Sequence, residues 1–241
     1  MHTATPDAPT PKGLLARVVG ILFSPRETYA DVSLRPRPLA ILAVVLSIIA
    51  AANYTFLRTE VGQRAWMDQA LTQSEAYGRQ PTPQMIEGLE RMRPYAAPIA
   101  AIGTLVAVPI VMAALAGLFV GVFNAILGGD ATFKQVFAIV AHSGVIGALQ
   151  QLFVTPLNYA RESMSNPASV GTLLPMIDSG SFLGMFLGAV DLFQIWSLIS
   201  ISIGLGVLYK RRTSPIGWSL LATAFVIVLI LTGIKAARSG A

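Results

Sequence analysis

FLGMFLGAVDLFQIWSLISISIGLGVLY, residues 182–209, is a run of 28 residues that carries one charge, Asp191. At 1.5 Å per residue a helix of that length reaches about 42 Å, more than the roughly 30 Å hydrocarbon core of a bilayer. A carboxylate at the hydrocarbon centre costs about 2.5–3.5 kcal/mol even on the lenient insertion scales, so Asp191 calls for a partner, a water path or a shallower position. The stretch therefore reads as a membrane helix with a polar problem to solve.

The rest of the chain agrees. Hydrophobic residues make up 54% and charged residues 12% of its 241 residues, with a mean hydropathy of +0.64, which lies outside the range of ordinary soluble domains. Further apolar stretches long enough to cross a bilayer run from Pro38 to Leu57, Pro98 to Leu127, Phe133 to Pro156 and Ile216 to Ile234. The expected fold is all-α and polytopic: five transmembrane helices (about 38–57, 98–127, 133–156, 182–209 and 216–234) preceded by an interfacial amphipathic helix.

Three regions frame the spans. Residues 1–11 are polar and rich in Pro and Thr, which reads as a disordered tail and not as a secretory leader. Residues 12–33 read as interfacial helices: Leu14, Leu15, Val18, Val19, Leu22 and Phe23 fall at helical spacing with Lys12 and Arg17 opposite, and Ser24-Pro25-Arg26-Glu27 spells a capping box. Residues 34–241 form the membrane domain. Its loop 58–95 is expected to hold two helices divided at Gly78 to Pro83, with Thr82 capping the second. Ala113, Gly117 and Gly121, and likewise Gly184 and Gly188, recur every fourth residue, a spacing that lets helices pack closely.

Charge gives an expected orientation. Lys134 and the Lys210-Arg211-Arg212 trio would share one side with the N-terminus, against Arg161, Lys235 and Arg238 on the other. The positive-inside rule then places the N-terminus in the cytoplasm, in the inner membrane if the source is bacterial. The net charge of +5 is scattered over tails and loops, so no nucleic acid is expected as a partner.

Within the spans the polar residues singled out are His142, Gln150 and Gln151 in the third and Asp191 and Gln194 in the fourth, plus Asn124 near an end. Counting 1.5 Å per residue from Phe133 puts His142 about 13 Å and Gln150 about 25 Å from the inner side, and counting back from Tyr209 puts Asp191 about 27 Å from it. Asp191 is thus expected near the outer boundary beside Gln150 or Gln151, with His142 facing Ser197, Ser200 or the backbone of the fourth span. Cysteine is absent, and His-Glu-x-x-His, Gly-x-Ser-x-Gly and phosphate-loop motifs are missing. Asp130 and Asp191 fall at opposite ends of the spans and cannot form a protease dyad. No cofactor, metal or catalytic residue is expected.

Gly128-Gly129-Asp130-Ala131-Thr132-Phe133-Lys134-Gln135-Val136, then Asp191-Leu192-Phe193-Gln194-Ile195-Trp196 with Gly204-Leu205-Gly206, together with Ser24-Pro25-Arg26-Glu27-Thr28-Tyr29, resemble the bacterial branch of the Yip domain family. The family-like positions are Gly128, Gly129, Phe133, Lys134, Asp191, Phe193 and Trp196. The resemblance implies a five-span integral membrane protein with a cytoplasmic N-terminus, and eukaryotic relatives that act as adaptors linked to Rab GTPases and vesicle traffic. This chain lacks their Asp-Leu-Tyr-Gly-Pro segment and, at Ala141-His142-Ser143-Gly144, the Tyr and Pro of their third-span motif, so a Rab GTPase is not carried over as a partner. The reading is a scaffold or adaptor in the lipid bilayer, with a protein partner at its cytoplasmic face. Its rival is a small transporter or channel using Asp191, Gln150, Gln151 and His142.

Overall fold

A computed structural model describes residues 11–76 and 78–239. The tail expected for residues 1–11 thus lies, except for Pro11, outside the described residues. Two short helices, α1 (Leu14–Phe23) and α2 (Pro25–Leu34), precede α3 (Pro38–Leu57). The hairpin α4 (Glu60–Ala76) and α5 (Pro83–Met92) leads into α6 (Ala96–Val120), which a π-helical turn extends to Ile126. After α7 (Phe133–Ala160) come α8 (Val170–Leu173), α9 (Phe182–Ala189), α10 (Leu192–Leu208) and α11 (Thr213–Ser239).

The chain is an all-α polytopic membrane protein. Helices α3, α6 with its extension, α7 and α11 are each long and apolar enough to cross a bilayer. α10 is a shorter apolar helix of 17 residues, about 25 Å long. These five alternate in direction. Gly128–Lys134 and Lys210–Ser214 consequently share one end of the bundle, the near end; residues 58–95 and 161–181 share the far end.

α7 is the axis. Of its most apolar stretch 61% is buried inside the protein, against 11% for α6 and α11, whose outer faces are left for lipid. Ile139, Ile146 and Ala138 on α7 are fully buried against Ile41 and Val45 of α3 and Ile21 of α1. Thr132 opens α7 with a full capping box: its side chain accepts from the amide of Gln135, whose side chain accepts from the Thr132 amide.

The N-terminal helices are more deeply engaged than the sequence reading implies. α1 turns Leu15 and Phe23 outward, 77% and 82% exposed. Its other face buries Arg17, which bonds Asp31 of α2 at 2.8 Å and the Arg35 carbonyl at 3.0 Å. Arg17 therefore does not stand on a solvated face. α2 drives Tyr29 into the bundle, where its hydroxyl meets Ser200 Oγ at 2.7 Å. Burial raises the Tyr29 phenol above its ordinary pKa.

Three expectations are corrected. The run 182–209 is not one helix, because Val190 and Asp191 are extended and separate α9 from α10. Ser24 precedes α2 without making a side-chain cap, and Glu27 instead lies 3.8 Å from Lys12 Nζ. Gly117 and Gly121 meet no atom within 4 Å of an added Cβ, so that row is not a seam between these helices.

The close approach occurs at Gly204, where a Cβ would lie 2.4 Å from Ile139 Cγ2 and 3.1 Å from the Tyr29 ring. Gly204→Val is accordingly expected to cost about 1–3 kcal/mol in unfolding measured in detergent, whereas Gly117→Val costs far less. Tyr29→Phe should cost about 1 kcal/mol by leaving Ser200 without its partner.

Candidate functional site

The break before α10 creates a connected polar site that joins three parts of the chain. A helix leaves its first amides without partners, and an Asx residue just ahead of it can accept from one of them. Asp191 does this with Oδ1, which accepts from the Gln194 amide at 2.8 Å. Its other oxygen, Oδ2, accepts from Gln150 Nε2 on α7 at 2.6 Å and from Asn166 Nδ2. One carboxylate thus caps α10, ties it to α7 and anchors the segment that follows α7.

The backbone completes the arrangement. The extended strand-like pair Ser169 and Asp191 forms an antiparallel bridge, with Val170 N donating to the Val190 carbonyl at 2.9 Å and Leu192 N to the Ala168 carbonyl at 3.2 Å. Asn166 folds its own loop by accepting from the Ala168 amide at 3.0 Å. An unwound residue pair at this depth needs such partners, because hydrocarbon offers none.

Gln151 follows Gln150 but serves another neighbour, since successive residues on a helix point about 100° apart. Its Nε2 donates to Asn53 Oδ1 of α3 at 2.8 Å and to Thr155 at 3.0 Å, and Asn53 in turn reaches Thr104 of α6 at 3.4 Å. The structure therefore gathers Asp191 and Gln150, with Gln194 contributing its backbone while its side chain is exposed. Gln151 belongs to a second knot linking α3, α6 and α7.

His142 stands apart. It hydrogen-bonds neither Ser197 nor Ser200: its Nδ1 contacts the Ala138 carbonyl one turn earlier at 2.7 Å, and the hydroxyl of Ser200 is engaged by Tyr29. A carbonyl only accepts, so Nδ1 carries the proton and the buried Nε2, which has no partner, is a bare acceptor in the neutral ring. Among the described residues no cluster of His, Asp and Glu could hold a metal ion.

The remaining family-like residues build the near end. A Cβ on Gly129 would strike the Tyr209 ring at 2.6 Å; that ring stacks on Phe123 at 4.7 Å, and its hydroxyl donates to Asn124 Oδ1 at 2.9 Å. Gly128 has a φ of 70°, which suits glycine. Phe133 stacks on Phe137, Lys134 is exposed, and Phe193 packs between Phe153 and Trp196. Sequence reasoning missed Asn166 and Asn53. A signal for the break was present in Asp191-x-x-Gln194, the spacing of an N-cap and the third helical residue.

Comparison with known proteins gives one match. A family model for the Yip1 domain covers residues 19–235, nearly the whole chain. No curated protein and no solved structure matches.

The two glutamines separate the two knots experimentally. In double-mutant cycles on unfolding, Asp191→Ala and Gln150→Leu should couple by about 0.5–3 kcal/mol, whereas Asp191→Ala and Gln151→Leu should add to within about 0.5 kcal/mol. Equal coupling in both cycles would contradict the geometry.

Proposed function

Because the chain belongs to the Yip1 domain family, we propose that it works as a non-enzymatic membrane scaffold or adaptor, with the α1–α2 hairpin and the near-end loops as its recruiting surface. The observation that carries this reading is the use made of the intramembrane polar groups. Asp191, Gln150 and Gln151 spend their polar atoms on helix capping and interhelical bonds, and a residue so engaged is not poised to pass an ion. The clefts of about 700–850 Å³ at the two ends of the bundle are lined by other residues. The outward residues of the hairpin, Phe23 at 82% exposed and the Glu27 side chain at 80%, offer a partner an apolar and an acidic contact.

In this reading the near end, with Lys134 and Lys210–Arg212, faces the cytoplasm. The cysteine-free chain makes the sidedness directly measurable. Gln80→Cys and Ser165→Cys should react with an impermeant reagent added outside, and Ser214→Cys only after permeabilisation. The reverse pattern would invert the topology.

Purified protein in liposomes is expected to show no pH-dependent flux that Asp191→Asn abolishes; such a flux would replace the scaffold with a transporter. Photo-crosslinkers placed at Phe23 and Glu27 in cells should capture a discrete protein. Capture of lipid and of the chain itself alone would remove the support for recruitment.

A further inference from the structure

Two clefts flank the turn between α10 and α11 and share the same three cations. One, of about 700 Å³, lies between that turn and Arg26 at the start of α2. The other, of about 850 Å³, runs between α6 and α11 past Phe119, Val122, Phe123, Ile216 and Leu220, with Lys210, Arg211 and Arg212 at its mouth. Among the described residues no acidic side chain lines either cleft. Arg211 is committed to the fold, donating to the Leu127 carbonyl at 2.6 Å. Lys210, Arg212 and Arg26 are exposed and form no ion pair with any described residue.

The backbone supplies an independent sign. α10 ends in a doubly bonded cap, with Arg211 N donating to the Gly206 carbonyl at 2.9 Å and Lys210 N to the Val207 carbonyl at 3.3 Å. Such caps place their left-handed residue where glycine is cheapest, yet here that residue is Lys210, with a φ of 52°. Lys210 thus stands at a backbone position that glycine would occupy at lower cost. α11 begins three residues later with no acid in its first turn, leaving the positive end of its dipole uncompensated.

We propose that this turn and the adjoining groove bind an anionic glycerophospholipid, with its phosphate against Lys210 and Arg212 and an acyl chain between α6 and α11. The walls of the groove continue into surface that a membrane wets with acyl chains: Leu118 on α6 is 59% exposed and Trp218 on α11 is 71% exposed. Cations at the mouth of an apolar groove at the hydrocarbon boundary complement a lipid phosphate, and a soluble peptide or a second copy of this basic turn would not match both parts. The site stands independently of the scaffold reading, since a transporter could carry it equally.

The test uses the full chain in neutral detergent, with phosphatidylglycerol, phosphatidylcholine and acyl-free glycerophosphoglycerol as probes. Binding is read by native mass spectrometry and by the shift in melting temperature. Phosphatidylglycerol should bind and stabilise, while the other two should not. Lys210→Gly/Arg212→Gln should weaken phosphatidylglycerol about 30-fold, the loss of two cations near an anionic phosphate. The variant should melt no lower than wild type without lipid, because glycine relieves the left-handed backbone, so misfolding cannot explain the loss. Arg161→Gln/Lys235→Gln, which removes two charges at the far end, should bind as wild type, and Leu220→Trp, which fills the groove, should weaken binding. Equal binding of the two lipids, or wild-type affinity in Lys210→Gly/Arg212→Gln or in Leu220→Trp, would overturn the proposal. So would stabilisation by glycerophosphoglycerol equal to that by the lipid, which would assign the turn to soluble phosphate esters.

Discussion

A polar group on a buried membrane helix is costly unless it finds a partner inside the protein, and α7 is where this constraint presses hardest. It is the helix with least access to lipid or water, and it carries His142, Ser143, Gln150, Gln151 and Asn158. Ser143 and His142 turn back to carbonyls of their own helix at 2.7 Å each. The two glutamines cannot be satisfied that way, because an amide brings more hydrogen-bonding positions than one carbonyl meets. They reach sideways and tie α7 to two of the helices packed on it, α10 through Asp191 and α3 through Asn53.

The two ends of the bundle meet the same constraint by different means. At the far end a charged side chain does the joining, and the helix it joins is broken to receive it. At the near end the contacts are a ring stack, a phenol on an amide and an arginine on a carbonyl, all arranged around Gly129. The near end thus keeps Lys210 and Arg212 uncommitted, while the far end leaves Asp191 no free oxygen. A charge with several short bonds is a structural member; a charge held out on a strained turn is available to something else.

Much of this was legible in the chain itself because the signals were one-dimensional. Apolar length placed α3, α6, α7 and α11, and counting rise per residue from opposite ends brought Asp191 to the level of Gln150. Rise alone could not choose between Gln150 and Gln151, which differ by about 1.5 Å in depth and by about 100° around the helix. The break at Val190 had a local signal in Asp191-x-x-Gln194, but apolar residues on both sides of it look helical, and the pairing that completes it comes from Ala168 to Val170, about twenty residues away in sequence. Tyr29 was hidden for the opposite reason. Its helix is polar enough to read as surface, and only Gly204, by leaving space beside Ile139, makes room for the ring.

The Arg17–Asp31 pair shows what holds the N-terminal hairpin in one arrangement. A buried ion pair recovers little net energy, because desolvating two charges offsets most of their attraction, yet losing one partner alone is severe. Its contribution is therefore register. Arg17 reaches the Asp31 carboxylate and the Arg35 carbonyl together, so α1 can neither slide nor rotate on α2 without stranding a charge inside the bundle. With α1 locked on α2, and α2 locked on α10 through Tyr29 and Ser200, the apolar side of α1 with Leu15 and Phe23 is presented at a fixed angle beside the near end. The hairpin is in this sense a rigid part of the membrane body. The face it presents is preformed, so contact there would need little further ordering of this segment.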